Sequence, residues 1–234
     1  MKRWKNWAGN QRAIPKSVHL PSSEDELVAI VRFAQAAKRH LKVVGSGHSF
    51  TAVAVADDIL VDLRNYGEFL EVSTDRNSVT VQSGMVLADL NERLHREGLA
   101  MPNLGDITYQ TIAGALSTST HGTGHARTGL AAQVVGFRLI DASGNVLQCS
   151  EHENDEVFHV GRVGLGALGV LSAILAEVGH PGGALVESRR RCQHHAALAS
   201  GHHLALLEAQ NRHVRDRARR TATVGRTDAL GVVL

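Results

Sequence analysis

Apolar and polar positions alternate along the chain in short runs whose period changes from two to 3.6 and back. Residues 16–20 predict a strand. Ser22 and Ser23 then precede Glu24, Asp25 and Glu26, and Leu27, Val28, Ile30, Val31, Phe33 and Ala34 follow. That spacing predicts an amphipathic helix with a serine cap and an acidic first turn. LKVVG at 41–45 and DDILVDL at 57–63 predict two further strands, so the first unit reads βαββ. A second unit begins near Tyr66, with strands over 69–72 and 78–82 joined by a polar turn at 74–77. Residues 85–97 place Val86, Leu87, Leu90 and Leu94 at helical spacing, and Gly98 sits where a C-cap belongs. Residues 111–117 predict a short helical turn. Strands over 134–140 and 146–149 flank the turn Ala142, Ser143, Gly144, Asn145, and a short helix over 155–162 precedes a last strand at 170–178. The expected class is α+β: a small βαββ subdomain over 1–65, a larger mixed subdomain over 66–178, and a tail over 179–234 that is expected to be poorly ordered.

The length, 234 residues, suffices for a proper core. No run approaches the roughly 18 apolar residues of a membrane span. MKRWKNWAGN carries basic residues without an apolar segment behind them, so it does not read as a secretory signal, and a cytoplasmic location is the expectation. Cys149 and Cys192 stand far apart in no metal-binding spacing. The net charge of +2 conceals a split. Every lysine (Lys2, Lys5, Lys16, Lys38, Lys42) and every aromatic, the last being Phe158, precedes residue 160, whereas the tail holds Arg189, Arg190, Arg191, Arg212, Arg215, Arg217, Arg219 and Arg220. No aromatic lies among these arginines for base stacking, so nucleic acid is not an expected partner.

Two constellations could carry chemistry. The strand ending at Val44 runs into Gly45, Ser46, Gly47, His48 and Ser49, where two glycines permit a tight turn whose N–H groups could cradle a phosphate. A Rossmann fingerprint requires a third glycine and an immediate helix; the chain instead continues TAVAVADDILVDL, which excludes it. His48 adds a nucleophile, since a neutral imidazole is competent. The second constellation is Gly105 and Asp106, then TIAGALSTSTHGTG over 111–124, whose small residues let the backbone approach a flat ligand while hydroxyls supply hydrogen bonds. A flexible polar loop is the plainer alternative. His121 and His125 are spaced like a helical metal pair, but Gly122 and Gly124 disfavour a helix, so no metal is expected.

KNWAGNQ at 5–11, VVGSGHSFT at 43–51, GDITYQTIAGALSTSTHGTG at 105–124 and VGLGALGVL at 163–171 together resemble the ordered signatures of FAD-linked aldonolactone oxidases. That family comprises L-gulono-1,4-lactone, D-arabinono-1,4-lactone and alditol oxidases of the vanillyl-alcohol oxidase superfamily. The resemblance implies a PCMH-type FAD-binding domain. It also implies that His48 carries FAD covalently through the 8α-methyl, while Gly45, Ser46, Gly47 and Ser49 wrap the pyrophosphate. Ser117, Thr118, His121 and Gly122 fall on the second FAD-binding segment, with Gly114 in the turn nearest the flavin and Gly105 and Asp106 preceding it. Gly166, Gly169 and Val170 match the segment over the adenine end, or equally a glycine-rich turn into a strand. The implied activity is oxidation of a CH–OH group of a sugar lactone or polyol, with dioxygen as acceptor. Two alternatives stay open: a catalytically inactive FAD-binding remnant, and noncovalent FAD.

Members of that family continue into a substrate-binding cap domain, from which the catalytic residues are expected. After Val178 this sequence departs from such a cap and resembles a GC-rich gene translated in the wrong frame. A frameshift near codon 179 is therefore one expectation, and a short amphipathic helix on Leu198, Leu204, Leu206 and Leu207 is another. Catalytic residues are not identified.

Overall fold

A computed structural model describes residues 3–122 and 129–180. The expectations for the tail, including its order, frame and helix, and for His125 and Cys192, fall outside these residues.

The first subunit of structure is a parallel sheet with one helix. Strands β1 (Trp4–Lys5) and β2 (Arg12–Ala13) form a small antiparallel hairpin ahead of β3 (Ser17–His19), α1 (Glu24–Ala36), β4 (Leu41–Val44) and β5 (Ile59–Asp62). The sheet order is β3-β5-β4, with both pairings parallel. Helix α1 begins as its sequence predicts: the Ser23 side chain accepts from the Glu26 N–H, and the Glu26 carboxylate accepts from the Ser22 N–H at 2.7 Å. Leu27, Val31 and Ala34 form its buried face. Its end is a Schellman turn closed by Lys38 and Arg39 amides on the Gln35 and Ala34 carbonyls, with Lys38 forced to φ +50°.

Strands β6 (Phe69–Val72), β7 (Ser78–Gln82), β8 (Val134–Ile140), β9 (Val146–Ser150) and β10 (Val170–Glu177) make the second sheet, with helices α2 (Leu87–Arg96), α3 (Ile112–Ser117) and α4 (Asp155–Gly161). Its order, β6-β7-β10-β8-β9, is antiparallel throughout, and the last strand inserts between the two hairpins. Both hairpins match the predicted strands. The β8–β9 turn is fixed by the Asp141 carboxylate, which accepts from the Ser143 and Asn145 amides at 2.8 and 2.9 Å while Gly144 takes φ +78°. Leu87, Leu90 and Leu94 bury one face of α2, and Gly98 ends it at φ +68°.

The two sheets share a core. Ile140 and Val170, from the second sheet, pack with Leu27, Val31, Val43, Val61 and Tyr66 of the first. A polar clasp spans the same seam: Glu24 accepts from the Ser172 hydroxyl and pairs with Arg138 at 2.9 Å. Burial pushes the neighbouring Tyr66 hydroxyl up to about 12, so the phenol stays neutral there.

Candidate functional site

Where β4 and β5 end, the chain leaves the parallel sheet at Gly45 and at Leu63, and α3 of the second sheet packs against both exits. Ligand crevices form outside the carboxyl ends of parallel strands for this reason. A cleft of about 550 Å³, open to solvent, lies there, walled by Val44, Gly45–Ser49, Val53, Ala54 and Leu63 on one side and by Gln110, Thr111, Ala113, Gly114, Ser117 and Thr118 on the other.

Gly45 shows how closely the two walls approach. A Cβ there would lie 2.0 Å from Thr111 Oγ1, so only glycine fits. Thr111 cannot retreat easily: it is 4% exposed and its hydroxyl caps α3 by accepting from the Gly114 N–H. Gly47 turns the loop at φ +66°.

Three of the loop's carbonyls are held by the N-terminal hairpin. Trp7 N–H donates to the Gly47 carbonyl at 2.9 Å, Asn6 Nδ2 to that of Ser49 at 2.8 Å, and Asn10 Nδ2 and Gln11 Nε2 to that of Phe50. Among the described residues, none accepts from the backbone N–H of residues 46–49. A run of uncommitted amides suits an anionic group such as a phosphate. The other wall holds Ser117, whose buried hydroxyl has no hydrogen-bond partner among the described residues. An orphaned hydroxyl lining a cleft is a donor prepared for a ligand.

Among the described residues, His48 is the only titratable side chain on the cleft wall. Its ring stacks on Trp7, with centroids 5.0 Å apart and planes 18° from parallel, and burial lowers its pKa below the ordinary imidazole value. The site therefore presents a neutral imidazole beside an anion-binding turn and an apolar floor of Val44, Val53, Ala54 and Leu63.

Of the residues singled out in the sequence, Gly45, Ser46, Gly47, His48, Ser49, Gly114, Ser117 and Thr118 come together here. The others do not line this cleft. Gly169 lines a smaller adjoining hollow with Gly166 and Ser117, and its lack of a Cβ is explained by packing, since one would meet the Ile140 carbonyl at 2.3 Å. Val170 is a core residue at 1% exposure. Gly105 and Gly122 let two loop segments touch: a Cβ would meet Thr120 at 2.9 Å in one case and the Leu104 carbonyl at 2.5 Å in the other. Asp106 and His121 are exposed. Sequence reasoning missed Gln110 as a wall, and the hairpin's grip on the loop. The amides and tryptophan of KNWAGNQ were the available signal for the latter.

A family model described as an FAD binding domain matches residues 15–150, more than half of the chain. The chain belongs to this family. L-gulono-1,4-lactone dehydrogenase of Mycobacterium tuberculosis is 41% identical over 173 residues, and L-gulonolactone oxidase of Bos taurus 37% over 172; the matches cover 73% and 74% of this chain. A putative D-arabinono-1,4-lactone oxidase of Neurospora crassa is 34% identical over 170 residues. The chain spans 39% of the length of the first two relatives and 31% of the third. Among solved structures, alkyldihydroxyacetonephosphate synthase superposes with a TM-score of 0.64 at 20% identity, covering 71% of this chain and 32% of that one. The fold is that of a PCMH-type FAD-binding domain, α+β as its sequence predicts.

Proposed function

We propose that this chain is the FAD-binding unit of an oxidoreductase that oxidises a CH–OH group of a sugar-1,4-lactone or polyol, with dioxygen as acceptor. The observation that carries the reading is the pairing, in one cleft, of the Gly45–Ser49 amides with the orphaned Ser117 hydroxyl, in a chain of an FAD-binding family. The free amides of 46–49 are suited to the pyrophosphate, and the small residues Ala113, Gly114, Ser117 and Thr118 to the face of a flat ring system. When bound, FAD would supply the hydride acceptor and the route of electrons to dioxygen.

His48 is the attachment point in this reading. Its imidazole is neutral and on the wall, and neither ring nitrogen is hydrogen-bonded to another described residue. Acid precipitation of the FAD-loaded protein is the test: a yellow pellet, lost in His48→Ala, is expected. A colourless pellet with all flavin in the supernatant refutes covalent attachment.

One observation favours a second reading, an FAD-binding unit without turnover. Among the described residues, no side chain on the cleft wall besides His48 can act as the base for a hydroxyl proton. Peroxide release on adding L-gulono-1,4-lactone to the loaded chain separates the two, since the second reading gives none.

A further inference from the structure

The hairpin β1–β2 makes an unusual investment in one loop. Asn6, 2% exposed, is its hub: its carbonyl oxygen accepts from the Gln11 N–H at 3.0 Å, and its amide donates to Asn10 and to the Ser49 carbonyl. The carbonyls of Gly47, Ser49 and Phe50 are all held by the hairpin, and a Cβ at Gly47 would meet the Trp4 ring at 3.3 Å. Yet Trp7, which follows the hub, is not buried for stability: 56% of it is exposed. What it covers is one face of the His48 imidazole, and its far edge meets Phe50 in a T-shaped contact at 6.3 Å.

Stacking on a face leaves the edge of an imidazole open, and both ring nitrogens lie in that edge. The hairpin thus fixes the plane of the His48 ring through a flat contact, while its hydrogen bonds fix the backbone beneath. We infer that Trp7 is a positioning residue for flavin attachment, holding the His48 ring edge-on to the cleft so that its nitrogen meets the cofactor's 8α carbon. This rests on the reading of His48 as the attachment point. In the net reaction, an N–C bond forms as the imidazole N–H and one 8α C–H are lost. The two hydrogens and their electrons leave on dioxygen as hydrogen peroxide. Attachment is then an intramolecular step whose rate depends on alignment, and small misplacements cost large factors.

The test uses the full chain freed of flavin, mixed with FAD under air. Attachment is followed as flavin fluorescence retained by acid-denatured protein, and noncovalent binding as quenching of free FAD. Trp7→Leu keeps bulk but removes the flat ring; Trp7→Phe keeps the flat ring. At saturating FAD, Trp7→Leu is expected to attach about tenfold or more slowly at an unchanged dissociation constant, with Trp7→Phe restoring the rate. Equal rates in Trp7→Leu and the parent overturn the role, as does a loss of attachment that merely tracks lost binding. If the parent binds FAD but attaches none, the His48 reading itself fails. A parent that attaches alongside an equally fast Trp7→Leu defeats only the role of Trp7.

Discussion

Gly45→Ala places a methyl group where the two walls of the cleft meet. The new carbon would lie 2.0 Å from Thr111 Oγ1, 2.8 Å from its Cγ2 and 2.9 Å from its Cβ. A flexible surface side chain would swing aside, but Thr111 is buried, its hydroxyl caps α3, and its neighbours are pinned by Leu87 N–H to Gln110 and Ile112 N–H to Met85. Overpacking of this kind costs about 1–3 kcal/mol. Losing the threonine cap costs about 0.5–2 kcal/mol. The two overlap, so a net loss of about 2–3 kcal/mol is expected, and for a domain of this size that lowers Tm by roughly 5–10 °C. Thermal unfolding of the flavin-free protein, followed by circular dichroism, measures it. Thr111→Ala alone should cost about 1 kcal/mol, and because it removes two of the three clashing atoms, the double variant should be less destabilised than the sum by at least about 1 kcal/mol. A Gly45→Ala protein melting within about 1 °C of the parent, or strict additivity in the double variant, would refute the close approach of the walls.

Three further outcomes follow from particular residues. Lys38 closes α1 in a left-handed conformation that glycine adopts without strain, so Lys38→Gly should raise stability by about 0.5–1 kcal/mol in a urea titration; destabilisation would contradict the φ of +50°. Asp58 is held below its usual range by the Arg39 guanidinium at 2.5 Å, aided by Lys16 at 3.5 Å. A depressed folded pKa contributes stability that is full above the unfolded value of about 3.9 and is lost as pH falls through the folded value. Asp58→Asn should therefore flatten the acid limb of the stability profile, and an unchanged limb would show that this pair does not contribute. Burial also lowers the pKa of His48, so the neutral form persists below the ordinary imidazole midpoint. The half-loss of FAD attachment on acidification should then lie below about pH 6.5; a half-loss above that point would contradict the buried ring.

Much of the fold was legible because its signals are local. Leu87, Leu90 and Leu94 mark α2 by spacing, Ser23 and Glu26 mark the start of α1 by cap chemistry, and Asp141 to Asn145 mark a turn by the side chains that close it. The insertion of β10 between β7 and β8 was not, since strand order is decided by which apolar faces meet across the molecule, not by any one run. Glycines divide in the same way. Gly45 and Gly47 read correctly as a turn, and Gly169, which reads equally as a cofactor segment or a glycine-rich turn into a strand, packs its backbone closely on Ile140. Val170 beside it, read with the same two alternatives, is buried. Gln110 carried no signal because walling a cleft is a property of the partner surface. Two-residue strands such as β1 and β2 are too short to show a period at all.

The placement of the cleft follows from how the two sheets are joined. Apolar contacts between Ile140, Val170 and the α1 face, with Glu24 clasping Ser172 and Arg138, lock the sheets together along one seam. The polar backbone that leaves the sheet at the ends of β4 and β5 must be satisfied in some other way. The hairpin satisfies the carbonyls of Gly47, Ser49 and Phe50 but leaves the amides of 46–49, and the Ser117 hydroxyl opposite, without protein partners among the described residues. Unpaired donors on both walls of a half-enclosed cleft cost stability in the empty protein, and an acceptor-rich ligand returns it. Raising the FAD concentration should accordingly raise the melting temperature, and Ser117→Ala should reduce that rise while leaving the flavin-free protein as stable as the parent or more so. A Ser117→Ala protein that loses stability without FAD and gains as much from FAD as the parent would show that the hydroxyl has a protein partner after all.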